Sequence, residues 1–335
     1  SRAATARSWN VRRGQAAILQ APPRRTGTMA PRTPHVPDQP SDVVVTGVGA
    51  CAAVGRSPAE VHAALCSGEP GSRTASGGRD ASHGGVPAAR IIGGQAASEL
   101  AVAVAEQATS GLPTRSALWV ICATTAADVG AAEESWRRHG RDPCVDRDVD
   151  GLLAHRPGLA VQAALGSGCP AWTVSSACTS GGLAVIQAAD LVRKGRASAA
   201  LAVGVDTVCE MTTGGFSALG LVSKTRCRPF DTARDGLKLG DGAAALLLER
   251  RDVALARGAV PLATLAGNAS TSDGHSLTAP HPDGLALQRA IREALRGAGA
   301  PGLVVAHATG TRANDAAEAH ALFAQLPDVP VTATK

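Results

Sequence analysis

Residues 171–205 read AWTVSSACTSGGLAVIQAADLVRKGRASAALAVGV, and this stretch decides the fold. Residues 172–175 have the bulky and β-branched character of a short strand. Residues 181–193 read as a helix, with Leu183, Ile186, Ala189 and Asp190 at roughly helical spacing. Gly195 ends that helix, and ASAALAVGV supplies the next strand. Cys178 stands at the changeover from strand to helix, where open α/β sheets carry their chemistry.

A thiol just ahead of a helix faces unpaired amides and the positive end of the helix dipole. That setting favours the thiolate and lowers the pKa from about 8.5 by one unit or more. Amides of the same turn can hold a developing oxyanion. Gly181 and Gly182 each weaken a surface helix by about 1 kcal/mol. They make sense where backbone packs tightly around a buried site, and they leave room for an acyl chain or thioester arm. The plain alternative is a buried thiol packed against Val174.

The same alternation extends in both directions. Residues 43–48 (VVVTGV) form a strand, residues 58–66 a helix, residues 68–85 a Gly/Ser-rich loop and residues 95–108 an alanine-rich helix. A buried strand at 117–122 follows, then a polar mixed-charge insertion at 133–150 and a helix at 157–165. Beyond the central stretch come a strand at 243–249, a strand at 261–267, a helix at 284–295, a strand at 303–306, a helix at 314–326 and a strand at 329–332. Strands alternating with helices indicate an α/β fold, and their recurrence after residue 250 makes an internal duplication plausible.

The second reactive side chain is His307, in LVVAHATGTRANDAAE (303–318), past the end of a strand and ahead of a Thr-Gly-Thr turn. A neutral imidazole there can donate to a thioester carbonyl whose oxygen gains charge as an enolate forms. Asp315 and Glu318 lie three apart on the following helix. Capping explains them simply, Asn314 or Asp315 satisfying free amides and Glu318 pairing with a buried cation. Asp231, Arg234 and Asp235 make a charged, glycine-rich turn that salt bridges would stiffen, anchored by Phe230. His275 and His281 flank a polar loop that could line a site mouth, but with Asp273 they lack metal-ligand spacing. His139 and His155 sit in polar stretches and read as surface residues.

Composition narrows the class. The net charge is +5, yet residues 1–41 alone sum to +6, leaving −1 for residues 42–335. The basic character belongs to this Pro/Arg-rich leader, which reads as disordered. Met29 is a candidate start of translation within it. The remainder has no nucleic-acid footprint. Its apolar runs are too short to span a bilayer. Eight cysteines without a C-x-x-C pair and without a signal peptide read as reduced, mostly buried cytoplasmic thiols.

Together, these segments resemble the β-ketoacyl-[acyl-carrier-protein] synthase family of the thiolase-like fold, the ketosynthase II types in particular. SSACTSGG (175–182) is similar to the family's nucleophile motif. PFDTARDGLKLGDGAAALLLE (229–249) is similar to its internal acidic, glycine-rich segment. HATGTRANDAAEAHAL (307–322) is similar to its first histidine motif, with Ala308 where glycine is usual. SDGHSLTAPHPDG (272–284) also resembles the corresponding ketosynthase II stretch. The likeness runs from about residue 42 to residue 335 in the family's order.

The resemblance implies duplicated α/β halves with layered sheets and helices: an N-terminal domain over 42–250 and a partial, incomplete C-terminal domain over 257–335. It implies Cys178 as acyl acceptor, His307 as one of two histidines handling the malonyl thioester, Glu318 as a structural acid and Lys335 as the lysine of the last histidine motif; Asp315 is taken beside Glu318 as a supporting acid. In the family that motif continues past the lysine into Gly-His. The chain ends at Lys335 and so reads as a fragment, inactive as it stands. The implied reaction is the decarboxylating condensation of 3-oxoacyl-[acyl-carrier-protein] synthases in fatty acid or polyketide biosynthesis, needing neither cofactor nor metal. The implied partners are acyl carrier protein bearing acyl and malonyl groups, and a second subunit in a homodimer or heterodimer. Residues 205–231 also look like ketosynthases of polyene or pigment pathways. Two other readings stay open: a non-catalytic partner subunit of a heterodimeric ketosynthase, for which Cys178 would be inert, and a non-decarboxylating thiolase or acyltransferase.

Overall fold

The computed structural model describes residues 42–67, 88, 89, 91, 96–140 and 152–334. The expectations for the leader, for the loop at 68–85, for residues 141–150 of the insertion, for the side chain of His139 and for Lys335 lie outside the described residues.

Six strands form the main sheet: β1 (Val43–Ala52), β2 (Trp119–Ala123), β3 (Ala171–Val174), β4 (Ala199–Asp206), β5 (Gly242–Arg250) and β6 (Ala263–Thr264), in the order β3-β2-β4-β5-β1-β6. The strands β3, β2 and β4 are parallel, while β5 runs antiparallel to both β4 and β1. Helices α2 (Ala97–Thr109) and α4 (Arg156–Leu165) cover one face, and α5 (Ser180–Arg193) covers the other. Side chains of a strand alternate between faces. Val120 and Cys122 of β2, Leu201 and Val203 of β4 and Leu247 of β5 therefore pack with Leu100, Val104 and Val161. Their neighbours Ile121, Ala123, Ala200, Ala202 and Leu248 pack with Ala184, Ala188, Leu191 and Val192 of α5. Burial on both faces explains why β2, β4 and β5 read as continuous aliphatic runs.

The buried stripe of α5 differs from the one expected from Leu183 and Ile186, which are only half-buried. Alanines at 184 and 188 bring the helix backbone close to the sheet instead. Close approach recurs at β1. A Cβ on Gly49 would lie 1.9 Å from the Val104 carbonyl oxygen, and one on Gly47 1.9 Å from that of Ala108. Only glycine lets α2 lie directly on this strand.

Helix α1 (Pro58–Ser67) follows β1, and α3 (Val129–His139) follows β2, starting four residues before the polar insertion read from sequence. Two helices were not expected: α6 (Glu210–Ala218) and the short α7 (Arg251–Ala256). Beyond β6 lie α8 (Leu285–Ala294), β7 (Val304–Val305), α9 (Arg312–Gln325) and β8 (Val331–Thr332). β7 and β8 pair in parallel as a separate two-stranded sheet. Ala306, Ala308 and Leu322 form its small core, with Phe230, Ile291, Val304 and Val331 packed against it. The strands read at 261–267, 303–306 and 329–332 each shrink to two residues. No helix among the described residues is long and apolar enough to cross a membrane.

Candidate active site

Cys178 leaves the C-terminal end of β3 on a strained turn. Ala177 has φ 47°, in the left-handed region that alanine seldom adopts. The buried hydroxyl of Ser180 clasps this residue from both sides. It donates to the Ala177 carbonyl at 2.7 Å and accepts the Ser176 N–H at 2.7 Å. Thr179 donates through its hydroxyl to the Ser176 carbonyl at 2.8 Å. None of these bonds uses the Cys178 N–H. Helix α5 begins at Ser180, two residues past the cysteine.

Cys178 is exposed, so the alternative of a buried thiol against Val174 is set aside. A Cβ added to Gly181 or Gly182 would meet nothing within 4 Å. These glycines are therefore not dictated by tight packing among the described residues, and open space surrounds them. The other cysteines differ. Cys51, Cys122 and Cys209 are buried. Burial, reinforced by Asp206 and Asp128, pushes the Cys122 thiol up to about 12. Burial also raises Cys51. Cys66 is exposed on α1, 3.6 Å from His62 Nε2, away from any strand-to-helix turn.

His307 follows β7 and is exposed, while Ala308 beside it is fully buried with φ 48°. Glu318 of α9, 7% exposed, fixes both. Oε1 accepts the His307 N–H at 2.7 Å and Oε2 accepts the Ala308 N–H at 2.8 Å. Its partners are thus two backbone amides rather than the expected cation. Charge-assisted bonds of this kind are the stronger class.

Asp315 does not cap its own helix as expected, because α9 starts at Arg312 and places Asp315 in the fourth position. It is 1% exposed and accepts the N–H of Gly310 at 3.1 Å and that of Phe230 at 2.8 Å. Arg234 Nε stands 3.7 Å from the same carboxylate. The hydroxyls of Thr309 and Thr311 share a hydrogen bond of 2.9 Å.

Phe230 does anchor the 222–241 loop, packing on the β7–β8 core with φ 60°. Asp235 accepts the Ser223 hydroxyl at 2.7 Å, which with Arg228 nearby holds its carboxyl below the usual range. The sequence assigns no individual role to three further acids, one of which, Asp241, lies within the 229–249 motif. Asp206, at the end of β4, accepts the Thr124 hydroxyl and the N–H groups of Thr125 and Ala126. Asp241 accepts the N–H groups of Ile91 and Val208. Asp128 accepts both the N–H and the hydroxyl of Ser98. An acid directly after a strand was the available signal only for Asp206. His275 and His281 stack edge-on at 4.8 Å in the 272–284 loop, and His155 is exposed.

The scaffold thus carries an exposed cysteine on a strand-to-helix turn and an exposed histidine whose backbone is clamped by a buried glutamate. Residues 111–254 match the family model "Beta-ketoacyl synthase, N-terminal domain", and residues 262–335 match "Beta-ketoacyl synthase, C-terminal domain". The chain belongs to the beta-ketoacyl synthase family.

Over 162 residues it is 43% identical to the 3-oxoacyl-[acyl-carrier-protein] synthase 2 of Mycobacterium bovis, a match covering 45% of this chain and 39% of that protein. The chain thus spans well under half the length of this relative. Among solved structures, the ishigamide ketosynthase/chain length factor superposes with a TM-score of 0.79 at 29% identity, covering 87% of this chain and 79% of that one. A type II PKS acyl-carrier protein in complex with its ketosynthase bound to the hexaketide gives 0.78 at 27% identity, covering 88% and 81%.

Proposed function

We propose that the protein is a 3-oxoacyl-[acyl-carrier-protein] synthase of fatty acid or polyketide biosynthesis, with Cys178 as its nucleophile. The observation that carries this reading is the presentation of Cys178, exposed on the Ala177 turn at the mouth of α5. The Cys178 thiolate attacks the carbonyl of an acyl-carrier thioester, the thioester C–S bond breaks, and the carrier leaves as a thiolate that takes a proton from solvent, leaving acyl-Cys178. A malonyl-carrier thioester then loses CO₂. His307 donates a hydrogen bond to the thioester oxygen as it becomes an enolate. The enolate carbon attacks the acyl-Cys178 carbonyl, the C–S bond breaks, Cys178 returns as thiolate, and 3-oxoacyl-carrier protein is released.

Glu318 and Asp315 serve this step by holding the loop that carries His307, and Lys335 belongs to the same machinery by its motif. We take residues 42–250 and 257–335 as the two domains. We further take the protein to be cytoplasmic, to accept its substrates on acyl carrier protein and to work as a dimer with itself or with a related subunit. The relatives solved with a chain length factor or a carrier protein support those partners. Exposure of Cys178 speaks against a non-catalytic subunit with an inert thiol.

The test is intact-mass spectrometry of the protein expressed from its complete coding sequence and incubated with an acyl-carrier thioester. The expected adduct is one acyl group, lost in Cys178→Ala. An adduct of equal size and yield in that variant would refute the assignment. CO₂ release from malonyl-carrier protein separates this reading from a non-decarboxylating acyltransferase.

A further inference from the structure

Two loops from different parts of the fold meet at Thr309 and Gly310, two and three residues past His307. The 222–241 loop precedes β5 of the main sheet, and the 306–311 loop joins β7 to α9. They touch backbone to backbone. A Cβ on Gly310, whose φ is 76°, would lie 2.6 Å from the Gly236 carbonyl oxygen and 2.9 Å from Cys227 Sγ. The Cys227 thiol donates to the Thr309 carbonyl at 3.4 Å. Such a junction has little room to shift without losing contact.

Arg234 bridges the junction. Its Nη1 donates to the Asp231 carbonyl at 2.9 Å within its own loop, and its Nη2 donates to the Arg312 carbonyl at 3.2 Å, at the first residue of α9. Its Nε lies 3.7 Å from Asp315 Oδ2. Among the described residues Arg234 is the one cation within ion-pair distance of Asp315, and its side chain is only 19% exposed. Asp315 in turn accepts one N–H from each loop, Phe230 from the first and Gly310 from the second. A buried carboxylate with no nearby cation is costly. Two guanidinium nitrogens donate to backbone carbonyls while the third, Nε, faces the carboxylate at ion-pair distance without a hydrogen bond, an arrangement of a planar fork that an ammonium cannot reproduce.

We infer that Arg234 is a positioning residue for His307: through Asp315 and the Arg312 carbonyl it sets where the imidazole stands relative to the sheet that carries Cys178. The inference rests on the condensing role proposed above. It assigns Arg234 to the decarboxylation half-reaction and not to acylation of Cys178, whose turn is closed by its own Ser176–Ser180 bonds.

The experiment uses the protein from its complete coding sequence, with Arg234→Ala, Arg234→Lys and Asp315→Asn beside the wild type. Acylation of Cys178 is followed by intact mass with a hexanoyl thioester, and decarboxylation by CO₂ release from malonyl-carrier protein. In Arg234→Ala, decarboxylation should fall about a hundredfold, the scale of a small misplacement of a catalytic group, while acylation stays within about twofold. Arg234→Lys should recover only part of the loss. Equal losses in both half-reactions, or no loss in either, would overturn the inference. A wild type that acylates but releases no CO₂ would sink the condensing role instead. Hydrogen exchange over residues 307–311 tests the tether without turnover. Exchange should quicken in Arg234→Ala and in Asp315→Asn, and unchanged exchange in both would count against it.

Discussion

Glu318 accepts the backbone N–H of His307 at 2.7 Å, so the placement of the histidine depends on a carboxylate eleven positions further along the chain. The second oxygen holds Ala308 in its left-handed conformation. Glu318→Ala should leave two donors without their acceptor, each worth about 1–3 kcal/mol when buried. Glu318→Gln keeps one acceptor and should cost about half as much. Urea unfolding of the two variants checks the order, and equal stabilities would contradict it.

A similar clasp holds the nucleophile. Ser180→Ala removes both of the bonds that bracket Ala177, and about 1–2 kcal/mol of stability should go with them. The turn should relax toward ordinary backbone, drawing Cys178 away from its exposed position. The rate of iodoacetamide labelling at Cys178, read by peptide mass spectrometry, should fall. Ser180→Thr retains the hydroxyl and should label faster than the alanine variant.

These clasps mark the limit of what the sequence discloses. Cys178 and His307 are legible because a reactive side chain between strand and helix patterns stands out. The residue types of Asp315 and Glu318 are legible too, but their partners are backbone amides, which every residue carries, so no pattern identifies them. Strands β2, β4 and β5 are legible through two-sided burial. Strand β7 is overread because Leu303 and Val305, 53% and 62% exposed, have strand chemistry without a packed face. Helix α6 escapes notice because EMTTGGFSA is rich in weak helix formers. Its first amides are held by Glu133, from α3, at 2.7 and 2.8 Å, a bond across 77 positions at Glu210.

Cys122 offers a test by pH. Burial pushes its thiol up to about 12 from a usual 9.0, so the folded state holds its proton more tightly than the unfolded chain does. Its contribution is therefore complete below about pH 9 and is lost as pH rises toward 12. Stability should decline over that window, and Cys122→Ala should flatten the decline even though it leaves a small cavity. Alkylation at pH 8 should mark Cys178 and Cys66 and spare Cys122. Labelling of Cys122 at a rate comparable to Cys178 in the folded protein would contradict its burial.

The packing of α2 on β1 gives the sharpest steric prediction. Gly49→Ala would place a methyl 1.9 Å from the Val104 carbonyl oxygen, with the backbone of α2 unable to swing aside as a side chain would. Helix α2 also packs against α4, and Leu100, Val104 and Val161 share one buried cluster with the sheet. Relief requires the helix to lift from the sheet, opening a gap beneath Val104. Overpacking of a core typically costs about 1–3 kcal/mol, and a clash with backbone belongs at or above the top of that range. Gly111→Ala is the control, since an added Cβ there meets nothing within 4 Å. Thermal melts should show Gly49→Ala lowered by many degrees and Gly111→Ala nearly unchanged. If Gly49→Ala melts with the wild type, α2 does not lie on β1 at this distance. The aliphatic core that supports β2 and β4 would then be packed differently from the arrangement described.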